Sequence, residues 1–240
     1  MVISAERNLI YPDSDGQPMA DNTEQFQWIV LIKENLEYLF ADDPNVFVAG
    51  DLLWYPVEGQ PTIRVAPDAL VAFGRPKGRR GSYQQWREEN IAPQVVFEIL
   101  SPGNTQKEMI RKLKFYEQYG VEEYYIYDPD RNDFTGLQRQ GNELQVIDGI
   151  TNWTSPRLGI RMVLTPETLN IYYPAPRSGS LRDRRPFLTT VELARYAEQQ
   201  QELVQQERLR ADQQQELVQQ ERRRADRLAA KLQALGIDPD

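Results

Sequence analysis

The sequence contains neither cysteine nor histidine in its 240 residues. Without cysteine the chain can form no disulfide, no thiolate metal site and no cysteine nucleophile. Without histidine it has no imidazole base, no serine–histidine triad and no zinc site that uses histidine. Any chemistry must therefore use carboxylates, lysine, arginine, tyrosine or hydroxyl groups. A metal held by such oxygen ligands is expected to be a hard cation, Mg²⁺ or Mn²⁺.

Long apolar runs and an excess of basic residues are absent as well. No apolar run reaches the length of a membrane span, and the first residues lack the profile of a signal peptide. We therefore expect a cytoplasmic protein with no membrane partner. The net charge of −8 argues against a nonspecific coat on nucleic acid but leaves room for a local basic patch.

The first half of the chain predicts one helix followed by strands. A helix is predicted from Asn22 or Thr23, either of which can cap it, to about Phe40. The apolar segments Val46–Tyr55 and Thr62–Phe73 each predict a strand. These elements lead into the segment that carries the candidate chemistry.

Residues 95–129 predict a buried strand, a loop, an amphipathic helix that ends at Gly120 and a second strand. Glu98 interrupts the first strand, which is otherwise apolar on both faces and typical of the centre of a sheet. On the helix, the spacing of apolar residues directs Lys112 along the buried face. A lone buried charge costs several kcal/mol unless it is paired or bound to a metal. We therefore expect the two charges to share a partner, and a structural ion pair between them is the alternative.

A second acid is predicted to approach Glu98. Pro67 lies inside the predicted strand Thr62–Phe73 and implies a bulge or a sheet edge, which would redirect Asp68. The carboxylates of Asp68 and Glu98 would repel each other unless a divalent cation lay between them. A cation held by oxygen ligands, with the ammonium of Lys112 nearby, suits phosphodiester hydrolysis. The alternative for Asp68 is a turn or bulge cap.

Four further residues have weaker claims to the site. Asp51 lies in an apolar strand and is either a third ligand or the border of a hairpin. Glu37 lies near the edge of the buried face of the first helix and is either a ligand or a surface residue. Tyr116 and Tyr124 are interpreted as packing residues in the core or near the site.

The loop Gly74–Arg87 interleaves basic and aromatic side chains and contains no acidic residue. This composition suits contact with phosphates and stacking on bases, although an ordinary solvated loop fits equally well. The residues proposed to contact nucleic acid are Arg75, Lys77, Arg79, Arg80, Tyr83, Trp86 and Arg87.

The composition divides the chain into four parts. Residues 1–21 predict an extended N-terminal arm, 22–173 the main domain and 174–188 a linker. Residues 189–240 predict a long solvated helix that carries a 14-residue repeat, QQQELVQQERLRAD followed by QQQELVQQERRRAD. Polar residues occupy much of the heptad seam, so pairing in a coiled coil would be weak. A homodimer could form through the main domain or through this helix.

The segments around these residues resemble a known family. Pro67-Asp68, Glu98 in VVFEILSP, Lys112 in EMIRKLKFY and the segment GVEEYY from Gly120 occur in the order seen in the Uma-two family of restriction endonucleases. That family belongs to the PD-(D/E)XK nuclease superfamily. The resemblance covers about residues 20–175, and the Pro-Asp pair alone is not specific.

The resemblance implies an α/β (α+β) fold, in which a restriction-endonuclease-like mixed β-sheet is flanked by helices. It implies Asp68 and Glu98 as metal-binding acids, Lys112 as the catalytic lysine, Mg²⁺ or Mn²⁺ as the cofactor and DNA as the partner. In the wider superfamily the lysine lies two residues after the glutamate, where this chain has Leu100. Either Lys112 has taken over that role from the helix, or the site is impaired.

Two hypotheses follow for the function. The first is a metal-dependent endonuclease that hydrolyses DNA. The second is a non-catalytic module with a nuclease fold, which binds nucleic acid or binds a protein through its C-terminal helix. A glycosidase with paired carboxylates fits the two acids but leaves Lys112 unexplained.

Overall fold

The computed structural model describes residues 9–14, 16, 18–175 and 185–234. The chain divides into two compact units, residues 1–189 and 190–240. The first unit contains a six-stranded mixed sheet with two smaller sheets and two α-helices. The second contains one long helix. The mixed α+β fold with a long C-terminal helix is therefore confirmed.

The elements follow one another in this order: α1 Thr23–Leu39, β1 Val46–Gly50, β2 Trp54–Tyr55, β3 Ala69–Phe73, β4 Tyr83–Gln84, a 3-10 helix Gln85–Arg87, β5 Val95–Ile99, α2 Gln106–Tyr119, β6 Glu123–Asp128, β7 Asp133–Gln140, β8 Glu143–Val146, β9 Asn152–Thr154, β10 Arg161–Leu164, β11 Leu169–Tyr172 and α3 Thr190–Ala234.

The main sheet has the strand order β1-β3-β5-β6-β7-β8. Strands β5 and β6 run parallel and are connected through α2, while the other neighbouring strands are antiparallel. Because β5 and β6 are the two middle strands, β5 is covered on both faces, and all five of its residues are buried. The prediction that Glu98 lies in a central strand is confirmed.

Alternate side chains of the main sheet contribute to two separate cores. On one face, Val95, Phe97 and Ile99 pack with Ile29 and Leu36 of α1, and β10 and β11 close the same core. On the other face, side chains of β3, β5 and β6 pack with α2, β2 and β4. Glu98 lies between Phe97 and Ile99 in the strand, so its side chain points to the α2 face.

The ends of both helices have local causes. Asn22 caps α1 by accepting a hydrogen bond from the backbone N–H of Gln25. Thr105 caps α2 in the same way, with Glu108 as the donor. Gly120 ends α2 in the left-handed conformation, with φ of 100°, which glycine adopts at little cost. The predicted cap at Asn22 and the predicted helix end at Gly120 are confirmed.

The strand predicted over Val46–Tyr55 is divided in two. Asp51 lies between β1 and β2 with φ of 48°, a left-handed conformation that interrupts the extended chain. The strand predicted over Thr62–Phe73 is also shorter, because β3 begins only at Ala69. Pro67 therefore precedes the strand instead of lying within it.

The predicted linker and the predicted C-terminal helix are described only in part. Residues 176–184 and 235–240 lie outside the described residues. The last residues assigned to the linker belong to the first unit, since Phe187 is buried there and its N–H donates to the carbonyl of Ile171 at 2.7 Å. Helix α3 exposes apolar side chains that recur with the repeat, among them Val204 and Val218. No helix among the described residues is long and apolar enough to cross a membrane.

Candidate active site

Asp68 and Glu98 meet where β3 and β5 lie side by side. Ala69, the first residue of β3, is opposite Phe97 in the antiparallel ladder. Asp68 precedes it, and its Oδ2 accepts a hydrogen bond from the backbone N–H of Ile99 at 2.6 Å. The carboxylate of Asp68 is therefore held beside the residue that precedes Ile99, which is Glu98.

Both carboxylate oxygens of Glu98 accept hydrogen bonds from α2. The ammonium of Lys112 lies 2.7 Å from Oε2, and the hydroxyl of Tyr116 donates to Oε1. The side chain of Lys112 is 12% exposed and that of Glu98 is 2% exposed. The inward direction predicted for Lys112 is confirmed, and Glu98, Lys112 and Asp68 come together as the sequence predicted.

The electrostatics of these groups are coupled. Burial, followed by the charge of Glu98, raises the pKa of Asp68 well above its usual value, although Lys112 and the N–H of Ile99 oppose the rise. Burial alone would lower the pKa of Lys112, but the charges of Glu98 and Asp68 outweigh it and the pKa is raised. Lys112 is therefore a cation at neutral pH, while Asp68 keeps a proton more readily than an exposed aspartate does.

The site opens into a polar cleft of about 670 Å³. Asp68 and Lys112 line it, together with Asp51 from the β1–β2 connection. Further polar residues from several segments complete its walls: Asp21, Gln25, Thr62, Arg64, Asn104, Glu108 and Arg111. The buried ion pair of Glu98 and Lys112 thus lies at the edge of a solvent-accessible cleft whose walls carry charges of both signs.

The end of the N-terminal arm forms one wall of this cleft. Asp21 accepts a hydrogen bond from the hydroxyl of Ser101, the second residue after β5. The N–H of Asp21 donates to the side chain of Gln25 at 2.8 Å, and the Gln25 amide donates to the carbonyl of Ile99 at 2.8 Å. These two hydrogen bonds satisfy the polar side chain of Gln25, which is buried on α1. The arm is thereby fixed to the end of the strand that carries Glu98.

The structure separates the two weaker acidic candidates. Asp51 lines the cleft, and its backbone N–H donates to the carbonyls of Pro67 and Asp68 at 3.1 and 3.3 Å. Its charge also contributes to the raised pKa of Asp68, so the two carboxylates are close in space. Glu37 instead forms an ion pair with Lys33 on an exposed part of α1 and does not line the cleft.

Much of the loop predicted to contact nucleic acid is engaged within the protein. Arg75 is buried and pairs with Glu89 at 2.9 Å, and Arg80 pairs with Glu88 at 2.6 Å. Tyr83 is fully buried, so it has no free face for stacking on a base, and its assignment to the nucleic-acid contacts is corrected.

The remaining members of that loop differ in their surroundings. The ring of Trp86 lies 5.0 Å from the ring of Tyr11 in the N-terminal arm. Lys77, Arg79 and Arg87 are exposed. These three cations are the part of the predicted surface that remains open to a ligand.

Sequence reasoning missed several residues of the cleft. The sequence predicts Tyr116 as a packing residue in the core or near the site and does not identify its hydrogen bond to Glu98, although Tyr116 lies one helical turn after Lys112 on the same side of α2. Arg64 and Arg111 gave no signal in the sequence, since each was one arginine among many. Asp21 gave none either, because only the folded arm brings it to the site.

The acids at the cleft suit the hard cation that the sequence implies. Among the described residues, no three acidic side chains are grouped as ligands around one point. Asp68 and Glu98 provide two neighbouring carboxylates, and burial together with the charge of Glu98 raises the pKa of Asp68, so a cation beside them would be favourable. Mg²⁺ commonly binds through one or two carboxylates and retains several waters. The two acids therefore fit Mg²⁺ or Mn²⁺, with Asp51 as the additional acid on the same cleft.

Comparison with known proteins identifies the family. The model of the Uma2 family, described as "Putative restriction endonuclease", matches residues 15–167. The chain belongs to the Uma2 family. The resemblance drawn from the Glu98 and Lys112 segments is confirmed, and with it the restriction-endonuclease-like fold class. Membership supports a nuclease-type protein and leaves metal dependence and catalysis to direct tests.

One solved structure gives a further comparison. The crystal structure of a "putative nuclease belonging to DUF820" from Anabaena variabilis ATCC 29413 shares 16% sequence identity with this Uma2 chain, with a TM-score of 0.44. The match covers 59% of this chain and 76% of that chain. Among proteins of curated function, none matches the chain.

Proposed function

We propose that this Uma2 protein is a metal-dependent endonuclease that hydrolyses phosphodiester bonds of DNA. The observation that carries the proposal is the convergence of Asp68, Glu98 and Lys112 beside a polar cleft, which Asp68 and Lys112 line. Apolar residues could fill this part of the core without the cost of burying two carboxylates and an ammonium, so we expect these charged groups to serve a function. In a chain of a family described as restriction endonucleases, phosphodiester hydrolysis is the reaction that this set of groups suits best.

In this proposal Asp68 and Glu98 would hold the Mg²⁺ or Mn²⁺, with Asp51 as an additional acid on the same cleft. The bound cation supplies Lewis acidity at the phosphate and makes a water molecule more acidic. Asp68 must be ionised to act as a ligand, whereas burial and the charge of Glu98 raise its pKa. A bound cation would offset this rise, because it favours the ionised carboxylate.

Lys112 acts as a fixed positive charge. Its raised pKa excludes it as a general base at neutral pH, because it has no free lone pair there. The ammonium is held by Glu98 at the edge of the cleft, where it orients the attacking water and stabilises negative charge that develops on the phosphate. Leu100 occupies the usual lysine position, and Lys112 reaches the same glutamate from α2.

The phosphate backbone is proposed to contact the cations that line the cleft. Arg64 and Arg111 lie on the same cleft as Asp68, and Arg111 is exposed. Arginine suits this role because its guanidinium group can donate two hydrogen bonds to one phosphate. Exposed Lys77, Arg79 and Arg87 would extend the contact along the loop.

A cleavage assay tests the proposal. Plasmid and oligonucleotide DNA are incubated with the protein and with Mg²⁺, Mn²⁺ or chelator, and wild type is compared with Lys112→Ala. We expect cleavage only with a divalent cation, and a loss of about 100-fold or more in Lys112→Ala, as for removal of one charge-stabilising group. Cleavage that persists in chelator, or no cleavage by wild type with either cation, would count against the proposal.

A non-catalytic module is the second candidate, and the contacts of Glu98 favour it. Both oxygens of Glu98 already accept hydrogen bonds, from Lys112 and from Tyr116, as in a structural ion pair. In that case the fold would bind nucleic acid, or α3 would bind a protein through its exposed apolar residues. DNA binding that is indifferent to divalent cations and to Asp68→Asn would support this candidate over the enzyme.

A further inference from the structure

Tyr116 holds the oxygen of Glu98 that Lys112 does not. Its hydroxyl donates to Oε1, whereas the ammonium of Lys112 lies 2.7 Å from Oε2. The two donors lie four residues apart on α2 and therefore on one face of the helix. Glu98 is consequently fixed at both ends of its carboxylate.

The ring of Tyr116 is itself fixed by its neighbours. It is fully buried, lies parallel to the ring of Trp54 with centroids 6.3 Å apart, and meets the edge of Tyr124 at 4.9 Å. The hydroxyl therefore has one position and one acceptor. A tyrosine hydroxyl carries its proton at neutral pH, so it is available as the donor to Glu98.

We propose that Tyr116 is a positioning residue, which keeps Glu98 from turning both oxygens toward Lys112 and so keeps it able to bind the divalent cation. This inference rests on the proposed function. A carboxylate held by a single ammonium can rotate about its terminal torsion until both of its oxygens contact that ammonium. A hydrogen bond to the other oxygen removes that freedom. Outer contacts of this kind on metal ligands affect metal affinity by about 10- to 100-fold.

Tyr124 provides a matched control. It is fully buried in the same aromatic cluster, and its hydroxyl has no hydrogen-bond partner among the described residues. Tyr124→Phe and Tyr116→Phe remove the same atom from neighbouring rings 4.9 Å apart. Only Tyr116→Phe removes a hydrogen bond to Glu98.

The test is a titration with Mn²⁺ of the full chain. The melting temperature and the DNA cleavage rate are recorded against Mn²⁺ concentration for wild type, Tyr116→Phe and Tyr124→Phe, with cleavage measured well below the lowest Tm. We expect Tyr116→Phe to need about 10-fold more Mn²⁺ for half of the Tm shift and for half of the maximal rate, with a maximal rate close to wild type. Tyr124→Phe should titrate like wild type.

Different results overturn the inference and the proposed function. If wild type cleaves DNA and both variants titrate with Mn²⁺ like wild type, Tyr116 is a packing residue and the inference is wrong. The inference also fails if both variants need the same increase in Mn²⁺, since the hydroxyl bond to Glu98 is then not the cause. If wild type shows neither a Tm shift with Mn²⁺ nor cleavage, the proposed function fails and the inference with it.

Discussion

The backbone N–H of Ile99 donates to Oδ2 of Asp68 at 2.6 Å, which places an acid that precedes one strand beside Glu98 in the next. This contact continues the hydrogen bonding between β3 and β5 beyond the last paired residues. As a result, two carboxylates from segments far apart in sequence share one site. Burial and their mutual repulsion raise the pKa of Asp68.

The raised pKa predicts how stability depends on pH in the absence of divalent cations. The folded state binds the Asp68 proton more tightly than the unfolded chain does. This proton therefore stabilises the fold fully below about pH 4, and the stabilisation is lost as pH rises through the pKa of Asp68 in the folded protein. Asp68→Asn should therefore be more stable than wild type at pH 8. Because Asp68 is partly exposed to the cleft, we expect a gain of about 1 kcal/mol.

Urea unfolding at pH 8 and pH 5 measures this effect. The difference between Asp68→Asn and wild type should shrink toward the lower pH, because wild type then recovers its proton. Asparagine still accepts the hydrogen bond of Ile99 through its side-chain oxygen. A variant that is less stable than wild type at pH 8 would show that the charge of Asp68 stabilises the fold.

The ion pair between Lys112 and Glu98 predicts a second pattern of stability. Lys112→Met leaves the buried carboxylate of Glu98 with the hydroxyl of Tyr116 but without its ammonium, and we expect a loss of about 3 kcal/mol at pH 7. The double variant Glu98→Gln/Lys112→Met should recover most of this loss, because the unpaired charge is gone. Urea unfolding of wild type, Lys112→Met and the double variant measures both values, and a double variant no more stable than Lys112→Met would contradict the expectation.

The site could be predicted in part because its charges break strong local patterns. Glu98 stands in an apolar strand and Lys112 on the apolar face of a helix, so both were visible in the sequence alone. The loop was harder, since Arg75 and Arg80 are neutralised by Glu88 and Glu89, which lie just after the segment that the composition marked as basic. Such pairing depends on how a loop folds back, which periodicity does not describe.

The left-handed conformation of Asp51 predicts that stability and metal binding respond differently to substitution. Asp51 has φ of 48°, where alanine is strained and glycine is not. Asp51→Gly should be about 1 kcal/mol more stable than Asp51→Ala. Both remove the carboxylate, so both should raise the Mg²⁺ concentration for half-maximal cleavage by the same factor if Asp51 is a ligand.

Thermal unfolding and Mg²⁺ titration of the two Asp51 variants are compared directly. An equal rise in the Mg²⁺ requirement despite unequal stability supports the role of the carboxylate. A Mg²⁺ requirement that follows stability, or that stays at the wild-type value in both variants, would assign Asp51 to the turn alone.

The arginines of the cleft predict how DNA affinity depends on salt. If Arg111 contacts a phosphate, Arg111→Gln should weaken DNA binding and reduce the slope of log affinity against log salt by about 1. Arg131, which is exposed, forms an ion pair with Asp128 and does not line the cleft, provides the control Arg131→Gln. Fluorescence anisotropy over a range of salt concentrations measures both slopes, and equal slopes for the two variants would exclude Arg111 from the contact.

The most direct test of the central claim measures stability and cleavage on one preparation of Asp68→Asn. If Asp68 is kept buried beside Glu98 for metal-dependent hydrolysis, the variant should melt above wild type at pH 8 without divalent cations and should lose at least about 100-fold in cleavage rate with Mg²⁺ or Mn²⁺. A variant that melts higher and cleaves DNA as fast as wild type would contradict the account, because the carboxylate of Asp68 would then have no part in the chemistry.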